Sequence, residues 1–281
     1  MNELSMQIGS SRMHAITMGE GPPVVLVHGF GVSGAYMHPL AEALAASFTV
    51  FIPDLPGQGE SEKLRGRTTI ARLGRALGEW IEATGLAAPS VVANSMGCQV
   101  VTELAVRRPR LVGPMVLVGP TIDPARRGAP GQLLGVLRDS AREPFAVLAR
   151  AARDDARTGM RILMALGRSM IDDRIEDRLP SIEQPTVVVH GERDGFGSRE
   201  WAEQAASLLP EGRLVVVPGE PHAVHFTRPD LIAAIVGDLL VEERQHRPDE
   251  LVRRLEHRDM AAGEPHQTRV LQRALPLFGE P

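Results

Sequence analysis

The sequence predicts an α/β protein: a doubly wound, mostly parallel sheet interrupted by one helical insertion. Three observations point there. Short apolar runs at residues 24–27, 91–92, 115–118 and 186–189 lack the alternation of half-buried strands, as strands covered on both faces do. Amphipathic stretches of helical spacing separate them, the pattern of parallel strands joined by crossover helices. From residue 121 to about 184 strand signals stop while helical ones continue. With 281 residues, 43% of them hydrophobic, the chain can bury a sizeable core, and α/β folds of this size form one domain.

Taken in order, residues 4–8 and 13–18 alternate as two antiparallel strands joined at Gly9-Ser10-Ser11. After the breaker 19–23, the strand at 24–27 ends in His28-Gly29-Phe30-Gly31-Val32-Ser33-Gly34, ahead of a helix near 35–46. The next strand, 49–53, opens into Asp54-Leu55-Pro56-Gly57-Gln58-Gly59-Glu60-Ser61. Thr68 is placed to cap a helix running to 80–83, whose apolar face carries Ile70, Leu73, Leu77, Trp80 and Ile81.

The stretch 90–99 is the one around which the rest is organised. An apolar strand meets an amphipathic helix (96–107) across a single residue, Ser95. A serine at such a tip is forced into a strained conformation costing about 1–3 kcal/mol, which makes sense where the hydroxyl must be presented outward. Strand and helix nearly touch there, so the residues two before and two after must be small; Ala93 and Gly97 are.

The insertion contains breakers at 123–124 and 128–131 and helical patterns near 132–140, 144–156 and 158–170. The sheet resumes at 186–189, followed by His190-Gly191-Glu192-Arg193-Asp194; a helix holds Trp201. The last strand, 213–217, runs into Pro218-Gly219-Glu220-Pro221-His222 and a closing helix near 229–243. Residues 244–281 are charged and broken by prolines, expected to be a peripheral or partly disordered tail, with a dimerisation arm or lid as the sharper alternative.

Composition narrows the function. The net charge of -4 without a basic block argues against nucleic-acid partners. The single cysteine, Cys98, excludes an intrachain disulfide and a multi-cysteine metal site, and is expected to pack as a small hydrophobe. No signal-like leader and no apolar run of about 18 residues is present, so the expectation is a cytoplasmic protein with no membrane partner.

Two chemistries compete. Gly29, Gly31 and Gly34 form Gly-x-Gly-x-x-Gly between a strand and a helix, with Asp54 some 20 residues further on, the elements of a dinucleotide-binding unit. His28 before the turn and the loop opened by Asp54 speak against it. The rival rests on strand ends. Ser95, Asp194 and His222 each follow a buried strand, and residues at the carboxyl ends of a doubly wound sheet converge on one edge. A serine hydroxyl needs an adjacent base, and that imidazole needs an anion to fix its tautomer. Asp123 also follows a strand and competes for the acid; His225 competes with His222. His222-x-x-His225 is only a weak metal spacing without further ligands, so no metal is expected.

Ala93-Asn94-Ser95-Met96-Gly97 resembles the Gly-x-Ser-x-Gly nucleophile elbow of α/β-hydrolases, with alanine at the first glycine. His28-Gly29-Phe30-Gly31 resembles their oxyanion loop, and the Asp54–Ser61 segment the loop after their next strand. Gly-Glu-Arg-Asp after a strand and a histidine in a Pro-Gly-x-x-His turn are familiar in that family, so the resemblance covers roughly residues 4–243. It implies the α/β-hydrolase fold, with core 1–120 and 185–243, a helical cap 121–184 inserted after the strand at 115–119, and the tail beyond. It also implies a triad of Ser95, Asp194 and His222 and an oxyanion hole from the amides of Phe30 and Met96, with Gly31 leaving room for substrate. Phe145 and Met164 of the cap are expected at the substrate. The implied activity is a serine hydrolase for carboxylic esters, thioesters or lactones of a modest apolar small molecule, with no cofactor. Asn-Ser-Met-Gly also resembles the elbow of meta-cleavage-product hydrolases, which break carbon–carbon bonds, but the turn after His222 lacks their tryptophan. An NAD(P)-dependent oxidoreductase and a non-catalytic ligand receptor are the distant alternatives, and a homodimer is a further expectation.

Overall fold

The computed structural model describes residues 1–128 and 158–243. The chain divides into two units, Met1–Val236 and Gly237–Pro281; of the second, residues 237–243 are described and helical. The predicted helices at 132–140 and 144–156, Phe145, and the tail 244–281 lie outside the described residues. Among the described residues no helix is long and apolar enough to cross a membrane.

The first unit is built on one eight-stranded sheet: β1 (Asn2–Ile8), β2 (Ser11–Met18), β3 (Pro23–Val27), β4 (Thr49–Pro53), β5 (Ser90–Asn94), β6 (Met115–Val118), β7 (Thr186–Gly191) and β8 (Gly212–Val217). Their order is β1-β2-β4-β3-β5-β6-β7-β8. β2 is antiparallel to both neighbours, and β4-β3-β5-β6-β7-β8 are parallel. Every residue of β5, β6 and β7 is buried, the physical reason that these strands read as apolar runs without alternation. From β3 the chain steps outward to β4 and then back across to β5. The carboxyl ends of β3 and β5 are therefore the switch point, where open α/β sheets bind ligands.

The helices are α1 (His38–Leu44), α2 (Ile70–Ala83), α3 (Met96–Arg107), α4 (Met160–Asp172), α5 (Ile175–Arg178), α6 (Arg199–Leu208) and α7 (Val224–Thr227). Residues 229–243 are also helical. The predicted helix 35–46 is instead a 3-10 turn, Gly34–Met37, followed by α1. Pro39 explains the break, since a proline is tolerated only in the first turn of an α-helix. The cap of α2 is Thr69, not Thr68: the Thr69 hydroxyl accepts the Arg72 N–H at 3.3 Å, while Thr68 is buried. The β1–β2 turn uses Gly9 and Ser10, with Ser11 already paired to Ile8. Trp80 is fully buried and packs edge-on against Phe51.

Within the insertion, the described residues 158–184 hold α4, α5 and a 3-10 turn, and no strand. Their return to the sheet is pinned to α3. Gln99 Nε2 donates to Met170 O and to Asp173 Oδ2, both at 3.0 Å, and Arg178 bonds the same Asp173 carboxylate at 2.7 and 2.8 Å. Arg127 closes the start of the insertion onto Glu176 with two bonds of 2.5 and 2.6 Å.

Candidate active site

Ser95 sits between β5 and α3 with φ 56° and ψ −121°, a backbone state that L residues rarely adopt. The surroundings hold it there. Its N–H donates to Val118 O of β6 at 2.9 Å. A Cβ on Gly97 would stand 2.6 Å from Val27 O and 2.8 Å from His28 O, so only glycine lets α3 lie this close to the end of β3. A Cβ on Gly29 would stand 3.2 Å from Ser95 Cβ, which places the loop after β3 directly against the serine.

That loop is braced from behind. His28 is wholly buried; its Nδ1 faces Gly29 O at 2.9 Å and its Nε2 accepts the Leu55 N–H at 2.9 Å, so the proton belongs on Nδ1. Asp54 Oδ1 accepts the Gly34 N–H at 2.7 Å, and its Oδ2 accepts the Glu60 N–H at 2.9 Å and faces His14 Nδ1 at 3.2 Å. The carboxylate is thus engaged in tying the loop after β4 to the loop after β3 and to β2, and the Gly34 amide with it. A dinucleotide site would need both for ribose and phosphate. Gly31 has φ 70°, and its N–H donates to Gln58 Oε1 at 3.2 Å.

Asp194, just past β7, is buried. Its Oδ1 accepts the N–H groups of Phe196 (2.7 Å) and Gly197 (3.1 Å), leaving Oδ2 for Nδ1 of His222 at 2.8 Å. Burial alone would raise this carboxyl; the attraction of His222, its hydrogen bond and the Gly197 amide outweigh that and hold it below the ordinary carboxylate value. The Phe196 ring lies 4.7 Å from the His222 ring, centroid to centroid. His190, 3.9 Å from Asp194 Oδ2, is likewise held below its ordinary value, because burial outweighs the upward pull of that carboxylate.

The register links this pair to Ser95. Asn94 of β5 is paired with Val118 of β6, so Ser95 and Gly119 leave the sheet side by side, about 4.8 Å apart. The His222 ring rests on that glycine: a Cβ there would stand 2.8 Å from Cε1 and Nδ1, and 3.1 Å from Asp194 Oδ2. The imidazole therefore occupies the space above the serine's neighbour. Gly119→Ala is expected to lower kcat about 10- to 100-fold while circular dichroism shows the fold retained, because a methyl group there displaces the imidazole by the order of 1 Å. Steady-state kinetics on any turned-over ester checks it.

The two competitors are otherwise engaged. Asp123 Oδ2 accepts the hydroxyl (2.7 Å) and N–H (3.2 Å) of Ser198, and its Oδ1 accepts the Ala125 N–H, which ties the β6 loop to the cap of α6. His225 is fully buried in α7, edge-on to Tyr36 at 4.7 Å, with neither ring nitrogen hydrogen-bonded among the described residues. Burial first, then proximity to His222, pushes its pKa from 6.5 down to about 3. The unfolded chain then binds a proton that the folded chain refuses. This contribution to stability is complete above pH 6.5 and is lost as pH falls toward 3. Replacing His225 by Phe should flatten that loss by about 2 kcal/mol between pH 6.5 and 5, measured by urea denaturation at both pH values.

Burial also raises the Cys98 thiol, which is fully enclosed on α3. Met96, first residue of α3, is fully buried; Phe30 is 37% exposed, and its ring lies 3.8 Å from where a Cβ on Gly167 of α4 would stand. Met164 is 61% exposed on α4. Two residues of the site carried no sequence signal of their own: Gly119, on which the imidazole rests, and Phe196, which flanks it.

A family model for the alpha/beta hydrolase family matches residues 24–235. The chain belongs to that family, and so to the hydrolases. Among relatives of this alpha/beta hydrolase, a pimeloyl-[acyl-carrier protein] methyl ester esterase from Vibrio vulnificus is 24% identical over 247 residues, 79% of this chain and 95% of the relative. The polyketide synthase ThaQ of Burkholderia thailandensis is 29% identical over 243 residues, 78% of this chain but only 12% of that much longer protein. In fold, a thermophilic esterase from Thermogutta terrifontis aligns with a TM-score of 0.73 at 21% identity, over 86% of this chain and 99% of the other.

Proposed function

We propose that this alpha/beta hydrolase cleaves carboxylic esters, thioesters or lactones of a modest apolar small molecule through an acyl-enzyme on Ser95. The observation that carries it is the buried Asp194–His222 pair resting on Gly119, one strand spacing from the strained Ser95. The ester-cleaving relative from Vibrio vulnificus, aligned over nearly its whole length, supports the choice of bond.

In the proposed cycle His222 Nε2 takes the proton of the Ser95 hydroxyl as Oγ attacks the acyl carbon. Asp194 Oδ2 keeps the other ring proton on Nδ1 and stabilises the imidazolium. The oxyanion is held by the amides of Met96 and Phe30; the first is an N-terminal helix N–H without a partner in its own helix. Collapse expels the leaving group, which takes the proton from His222. Water, deprotonated by the same imidazole, then releases the acid and regenerates the serine.

Labelling with a fluorophosphonate probe, with a panel of p-nitrophenyl esters and a vinylogous dienone beside it, tests this. Labelling with ester turnover is the expected result. Folded protein that neither labels nor turns over an ester overturns the assignment, and cleavage of the dienone alone moves it to carbon–carbon bonds.

A further inference from the structure

The loop between β4 and α2 holds a buried donor that the proposed cycle does not use. Gln58 is 1% exposed, its Oε1 accepts the Gly31 N–H at 3.2 Å, and its Nε2 has no hydrogen-bond partner among the described residues. The bond from Gly31 fixes which end of the amide is which, since an N–H must face the oxygen. Two N–H bonds are therefore left in a place closed to bulk water, a state that folded proteins rarely tolerate without a reason.

The backbone that carries this side chain is also held in place. The Gln58 N–H donates to Leu55 O at 3.0 Å, the Gly57 N–H to Glu62 O at 3.0 Å, and Leu55 is tied to His28. A Cβ on Gly59 would meet the Asp54 carboxylate at 2.3 Å, so the loop is packed tightly on its own anchor. Carboxamide N and O are about 2.3 Å apart, which puts Nε2 within about 5.5 Å of the Gly31 nitrogen, next along the chain from the Phe30 amide. A Cβ on the adjacent Gly57 would stand 3.3 Å from Ile162 of α4, so this corner lies between the loop and α4.

We propose that Gln58 Nε2 donates a hydrogen bond to an oxygen carried on the acyl group, two or three bonds from the scissile carbonyl carbon, so the preferred acyl group is apolar but oxygen-bearing near its reactive end. The proposal rests on Ser95 as nucleophile with its oxyanion at Phe30. Matched esters read it directly: p-nitrophenyl methoxyacetate against butyrate, and 3-methoxypropionate against valerate, pairs in which one ether oxygen replaces one methylene. The ratio of kcat/KM within each pair, measured on one preparation, does not depend on the fraction of enzyme folded. Intrinsic ester reactivity cancels when a variant's ratio is divided by the wild type's. In Gln58→Met, and in the isosteric Gln58→Glu, which retains an acceptor for Gly31, that ratio should fall about five- to tenfold for at least one pair. Ratios unchanged in both variants, with the wild type turning over all four esters, overturn the inference and leave Nε2 to an ordered water. A wild type that neither labels nor turns over any ester fails the Ser95 assignment instead.

Discussion

Ser95→Ala is expected to lower ester hydrolysis about 10⁴- to 10⁶-fold and to abolish fluorophosphonate labelling, with the fold intact. The loss is large because, among the described residues at the switch point, Cys98, the next nucleophilic side chain along α3, is sealed in and its thiol is raised by burial. The fold survives because the serine side chain does not hold its own backbone. Its φ of 56° is imposed by the Val118 hydrogen bond and by the contact of Gly97 with the end of β3. Alanine carries the same Cβ and inherits the strain, whereas glycine escapes it. Ser95→Gly should therefore unfold at a temperature about 2–4 °C above Ser95→Ala, on a strain of about 1 kcal/mol or more. Equal midpoints for the two variants would mean that the strain at the elbow is no larger than the roughly 0.5–1 kcal/mol of chain entropy that glycine costs, and residual turnover within about 100-fold of wild type in either would remove Ser95 as nucleophile.

The elbow was legible in sequence because its demands are local. Burial on both faces writes β5, β6 and β7 as apolar runs, and close approach of strand and helix writes Ala93 and Gly97 as small residues, so α3 begins and ends where its periodicity places it, Met96 to Arg107. Demands made through space left weaker marks. Asp123 and Asp194 both follow a buried strand, and in sequence only the family resemblance of Gly-Glu-Arg-Asp points to Asp194. What separates them is Ser198, 75 positions beyond Asp123, whose hydroxyl occupies that carboxylate, while His222, 28 positions beyond Asp194, reaches the other. Gly119 carries no signal in the sequence, yet its missing side chain is what leaves room for the imidazole. Likewise Gly-x-Gly-x-x-Gly with a distant acid is literal in the chain. Only the hydrogen bond from the Gly34 amide to Asp54 shows that the pattern serves to tie the loop after β3 to the loop after β4.

The same through-space partners make Asp194→Asn the most discriminating substitution. Asparagine can place its oxygen at Oδ1 and still accept the N–H groups of Phe196 and Gly197. Its NH₂ then falls at the Oδ2 position, 2.8 Å from His222 Nδ1, and two donors cannot share that contact. The ring must move its proton to Nε2, the atom that has to accept from Ser95. The expected outcome is a fall in kcat of about 10⁴-fold, with thermal stability close to wild type. Asp194→Ala should be equally inactive but less stable, because the buried Gly197 N–H and the partly buried Phe196 N–H lose their acceptor, at about 1–3 kcal/mol for the buried one. Asp123→Asn provides the control. It keeps an acceptor for Ser198 and should retain most of the activity, so a loss there as severe as at position 194 would transfer the acid's role to Asp123. If Ser95, His222 and Asp194 act as one unit, the double variant Ser95→Ala/Asp194→Asn will be no slower than Ser95→Ala alone, since an imidazole with the wrong tautomer has nothing left to activate. A further drop in the double variant would mean that Asp194 contributes to turnover through a route that bypasses the serine.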